Sequence, residues 1–122
     1  MRRSTSGLLC ALAVLGFAGS AFAHAHLKSA DPAENATLPV APASLKLQFS
    51  EALELKFSGV KVTGPSKDEV KLGPAALGAG ADTALDVPIA GVLSPGKYQV
   101  EWHILSKDGH KTKGSYSFTI KP

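Results

Sequence analysis

Tyr98, Val100, Trp102 and Ile104 alternate with Gln99, Glu101, His103 and Leu105, the longest period-two run of apolar and polar residues in the chain. Side chains of an extended backbone leave on opposite faces in turn, so such a run predicts a strand with one face buried. Leu45-Lys46-Leu47-Gln48-Phe49 repeats the pattern, as do Tyr116, Phe118 and Ile120 with Ser117 and Thr119 between them. Shorter candidates are Val60-Lys61-Val62, Val70-Lys71-Leu72 and the stretch from Ala84 to Ile89. Turn-forming residues separate these segments at Asp31-Pro32, Pro39 to Pro42, Gly64 to Asp68, Gly73-Pro74, Gly78 to Gly80 and Ser94-Pro95-Gly96. No segment after residue 23 carries an apolar stripe of helical period. Short strands at this spacing predict an all-β sandwich of immunoglobulin-like size. The Gly/Ala/Pro-rich stretch from Gly73 to Ala81 reads as a flexible connection.

The first 23 residues follow a different rule. Arg2-Arg3, an apolar run from Gly7 to Ala18 and the small-x-small Ala21-Phe22-Ala23 predict a cleavable signal peptide, with the exported chain beginning at His24. The apolar run is shorter than the roughly 20 residues that span a bilayer. Cleavage removes both arginines, Cys10 and Met1, leaving 11 lysines against 10 carboxylates. A nearly neutral chain with interspersed charges gives no argument for nucleic acid or an anionic membrane as partner. Residues 24–122 are one domain, expected to be monomeric, with no cysteine to staple it in an oxidising compartment.

Four histidines remain: His24, His26, His103 and His110. An N-terminal histidine offers a metal two nitrogens at once, since its free α-amine and imidazole Nδ1 close a six-membered ring around the ion. Asp108 and His110 stand two apart, so in an extended segment their side chains converge on one face. Amine, two imidazoles and a carboxylate form a tetragonal N/O set suited to Cu(II), while the absence of mature Cys and Met argues against a Cu(I) site. An ordinary polar turn also explains Asp108-Gly109. His103, opposite in phase to Trp102, reads as a solvent-facing strand residue.

A second mode lies within His24-Ala25-His26 itself. There the amine, two deprotonated amides and the imidazole of His26 would wrap Cu(II) in a square plane and leave Asp108 and His110 unused. Both modes are open at this level, and His26 stands as a possible accessory ligand.

The chain resembles the periplasmic copper-resistance protein CopC family. The likeness runs through His24-Ala25-His26-Leu27-Lys28-Ser29-Ala30, Leu45 to Glu51, Leu93-Ser94-Pro95-Gly96-Lys97-Tyr98 to Trp102, Ser106-Lys107-Asp108-Gly109-His110 and Gly114 to Phe118. It implies a seven-stranded Greek-key β-sandwich or barrel, cupredoxin-like, binding one Cu(II) through His24, Asp108 and His110. It also implies that Glu51 lies near the copper and orients a ligand or a water. The methionine-rich Cu(I) loop of some members has no counterpart here, since Lys61 to Val87 holds neither Met nor His. Gly109 replaces a bulkier residue, which suggests a less rigid loop.

The expected function is copper homeostasis or resistance in the periplasm, by sequestering Cu(II) or passing it to an inner-membrane CopD-type permease, without catalysis. The alternative is a histidine-brace copper oxidative enzyme of the monooxygenase kind. A charged Asp108 in the plane and the burial expected for Trp102 and Tyr116 weigh against it.

Overall fold

The computed structural model describes residues 25–78 and 80–122; the expected signal peptide, residues 1–23, and His24 lie outside the described residues. Eight strands form two sheets: β1 (Leu27–Asp31), β2 (Thr37–Leu38), β3 (Ser44–Phe49), β4 (Gly59–Thr63), β5 (Ala76–Gly78), β6 (Ala81–Pro88), β7 (Gly96–Leu105) and β8 (Lys111–Ile120). One sheet runs β1-β3-β6-β5, the other β2-β8-β7-β4. All pairings are antiparallel except β2 with β8. The eighth strand beyond the expected seven is accounted for by short pieces such as the two-residue β2. No described helix is long and apolar enough to cross a membrane.

The alternation in the sequence is the alternation of burial. Tyr98, Val100, Trp102 and Ile104 on β7 and Tyr116, Phe118 and Ile120 on β8 point into the core, as do Leu45, Leu47 and Phe49 on β3. His103 is exposed on the outer face of β7, as its phase required. Tyr98 and Phe118 are direct cross-strand partners with stacked rings 5.4 Å apart. Across the sandwich, Phe49 meets Trp102 edge to face at 5.1 Å and ties the two sheets together. Each such buried side chain contributes roughly 1.5–3 kcal/mol, with somewhat more from the aromatic pairs.

Three expectations about elements differ from the structure. Val70 to Leu72 is not a strand; Glu69 and Leu72 make only isolated bridges, to Thr63 and Ile89. The Gly/Ala/Pro-rich stretch holds β5, whose backbone pairs with β6 although its side chains offer little to bury. Leu27–Asp31, absent from the expected strands, is an edge strand whose register with β3 slips between Leu27 and Ser29, which spoils the period-two signal.

Chain crossings bring the ends of several strands together. After β3, residues 50–54 leave the first sheet and reach the second. Leu53 N–H donates to Asp82 O at 2.8 Å, and Glu54 N–H to Leu105 O at 2.8 Å. Leu53 bridges Ser106 and is fully buried. This crossover therefore passes between the start of β1 and the β7–β8 turn.

Candidate metal centre

Residues 106–110 join β7 to β8 and carry the Asp108/His110 pair. Ser106 N–H donates to His110 O at 2.9 Å, and Gly109 N–H donates to Ser106 O at 2.9 Å. Gly109 has φ +93°, a region that side chains other than glycine's rarely adopt, so glycine is what lets the turn close. The segment is a turn, not the extended piece expected, and Asp108 and His110 converge for a different reason. The backbone reverses between them, and Asp108 Oδ1 accepts from the His110 N–H at 3.2 Å.

The result is a compact pair. His110 Nδ1 is shielded from solvent and stands 3.1 Å from Asp108 Oδ1. The Ser106 hydroxyl, on a residue only 1% exposed, donates to Asp108 Oδ1. That hydrogen bond first, and the His110 side chain second, hold the Asp108 carboxyl down to about 2, well below the usual range. The carboxylate is thus charged and oriented throughout the neutral range. Sequence reasoning gave no role to Ser106; its signal is a hydroxyl two residues before an aspartate at the mouth of a turn.

The other half of the expected site begins beyond Ala25. His24 falls outside the described residues, but the chain after it is held by the fold. Ala25 is 2% exposed and belongs to the core. His26 donates its N–H to Ser50 Oγ at 2.9 Å and accepts at its carbonyl from Ser50 N–H at 2.9 Å, while its side chain is exposed. Two residues after Ser50, Ala52 O accepts from Lys107 N–H at 3.0 Å. The crossover thus holds the chain at His26 with one residue and the Asp108/His110 turn with another. Glu51 sits between those two fastenings, half-buried. His103 belongs to the outer face of the β2-β8-β7-β4 sheet and does not join this group. Among the described residues no cluster of three or more His, Cys, Asp or Glu side chains forms.

Fold and site together define a small two-sheet β-sandwich with a histidine–carboxylate turn at the end where the chain enters. The chain belongs to the CopC family, whose domain model, described as "CopC domain", matches residues 27–121. It is 48% identical over 102 residues to protein YobA of Escherichia coli strain K12, covering 84% of this chain and 82% of that protein. It is 40% identical over 114 residues to copper resistance protein C of Escherichia coli, covering 88% and 90% respectively. The crystal structure of CopC from Methylosinus trichosporium OB3b matches with a TM-score of 0.74 at 27% identity, over 81% of this chain and 95% of that one. The chain is therefore a member of a copper-resistance protein family, with the β-sandwich fold of that family.

Proposed function

We propose that this protein binds one Cu(II) ion in the periplasm through the α-amine and imidazole of His24, exposed by cleavage, together with Asp108 and His110. Copper is cargo here, held against release or passed to an inner-membrane CopD-type permease, and no catalytic step is assigned. The exported chain acts as a monomer.

The observation that carries the reading is the 3.1 Å between Asp108 Oδ1 and His110 Nδ1. Two donors on neighbouring corners of a square, each about 2.0–2.2 Å from a first-row divalent ion, stand about 2.8–3.1 Å apart. The pair is therefore spaced like adjacent ligands, one of them a carboxylate already deprotonated, and the Ser106 hydrogen bond fixes its direction. The donor set is hard and nitrogen-rich, without a thiol or thioether after residue 23, which suits Cu(II). Glu51, on the crossover between the two halves, is assigned the orienting of a ligand or bound water.

Titration of the chain beginning at His24 with Cu(II), followed by EPR, tests this. One ion should bind, and His110→Ala or a single serine added before His24 should each weaken binding at least about tenfold. Equal affinity in the serine-extended chain would refute the amine-imidazole chelate.

A further inference from the structure

We infer that Ser50 decides how copper is coordinated, by clamping the His26 backbone and so closing the amide-bound mode that a His-Ala-His terminus otherwise offers. This deepens the reading of the metal site and rests on it.

In the amide-bound mode, the Ala25 and His26 nitrogens each lose a proton to solvent and form a bond to Cu(II). The His24 amine and the His26 imidazole complete the plane. A flexible peptide meets those demands without difficulty. In this protein each demand collides with a contact. The His26 N–H is already donated to Ser50 Oγ at 2.9 Å, and the His26 carbonyl accepts from Ser50 N–H at 2.9 Å, so neither end of the residue can turn without breaking a bond. Ala25 is 2% exposed in the core, and wrapping residues 24 to 26 around an ion would draw its methyl out. Leu27 follows at once, paired with Phe49 at the start of β1.

His26, in contrast, is exposed. What withholds its imidazole is the backbone, and of the contacts that hold the backbone, the Ser50 hydroxyl is the one that occupies the His26 nitrogen the amide-bound mode needs. Ser50 is the first residue after β3, where a residue without a hydroxyl would still pair through its N–H but leave the His26 N–H without this acceptor. Ser50 is thus a positioning residue, acting on copper through His26, and it favours the mode that uses Asp108 and His110.

The test uses the chain beginning at His24, which contains every described strand, with one equivalent of Cu(II). Parent, Ser50→Ala, Ser50→Gly and Ser50→Thr are compared, each with and without His26→Ala. In the parent and in Ser50→Thr, which keeps the hydroxyl, His26→Ala leaves EPR and visible absorption unchanged. In Ser50→Ala and Ser50→Gly the visible band moves to higher energy as nitrogen replaces oxygen around the ion. His26→Ala then reverses that shift and lowers affinity about tenfold. Without copper, hydrogen exchange at the His26 amide, slow in the parent, accelerates in both hydroxyl-less variants. The inference is overturned if those variants keep the parental spectrum and its indifference to His26→Ala. A parent whose spectrum depends on His26 but not on His110 overturns the metal-site reading itself.

Discussion

Ser106 does for the carboxylate what Ser50 does for the backbone. Its hydroxyl is buried, points at Asp108 Oδ1 and lies 3.3 Å from His110 O, so one side chain orients both members of the pair. Partners that orient a metal ligand typically cost about 10–100-fold in affinity when removed. Ser106→Ala should therefore weaken Cu(II) binding by that range in a calorimetric titration, and Ser106→Thr should restore most of it; an Ala variant with parental affinity would exclude the role. The pH dependence follows from the same contact. The folded carboxyl is lowered to about 2, so whatever it contributes is present above the ordinary carboxylate range and lost only as pH falls through about 2. Acid release of copper between pH 7 and 4 must then come from protons competing for imidazole and amine nitrogens. Proton uptake measured on release over that range should be accounted for by those nitrogens alone. In Ser106→Ala, where the carboxyl loses the largest of the contacts that lower it and rises toward its ordinary range, an added proton-linked step should enter.

The β7–β8 hairpin is the element that presents this pair, and its weakest tolerance lies in its own core face. Gly114 is the cross-strand partner of Trp102, and a Cβ built on it would lie 2.5 Å from the indole ring. Trp102 in turn rests against Phe49 of the other sheet, so it cannot swing aside freely. Gly114→Ala should cost roughly 1–3 kcal/mol by overpacking, seen as a lower midpoint in urea with an unchanged slope. A variant as stable as the parent would show that the indole has room the packing does not suggest. The hairpin was legible in the sequence because both strands alternate cleanly and a polar turn lies between them. β1, β2 and β5 were not, because they are short edge strands fixed by backbone pairing rather than by a clean alternation of buried side chains. The convergence of Asp108 and His110 was legible from their spacing, while the backbone that produces it was not: an extended segment and a turn both bring residues two apart together, and only the hydrogen bonds from Ser106 and His110 N–H choose the turn. The clamp on His26 was equally hidden, since nothing in Phe49-Ser50-Glu51 says that the serine faces residue 26.

Across the whole molecule, the proposed metal site would join what the fold leaves unjoined by covalent bonds. No cysteine follows residue 23, so the sandwich has no disulfide, and among the described residues Ser50 and Ala52 of the crossover hydrogen-bond the entering chain and the β7–β8 turn respectively. A copper ion shared by His24 and the Asp108/His110 turn would cross-link these directly. A ligand that binds only the folded state adds about 2.7 kcal/mol at a free concentration 100 times its dissociation constant. In a domain of about 100 residues that raises the melting temperature by roughly 10–20 °C. The gain belongs to the processed chain alone. In the precursor the nitrogen of His24 is a peptide amide joined to Ala23, its lone pair delocalised into the carbonyl, so the neutral amine donor of the chelate ring is missing. Calorimetry of the two forms, each with saturating Cu(II), should give the full rise for the chain beginning at His24 and only a few degrees for the precursor. Equal rises would mean that the ion sits elsewhere on the sandwich and that cleavage has no part in making the site.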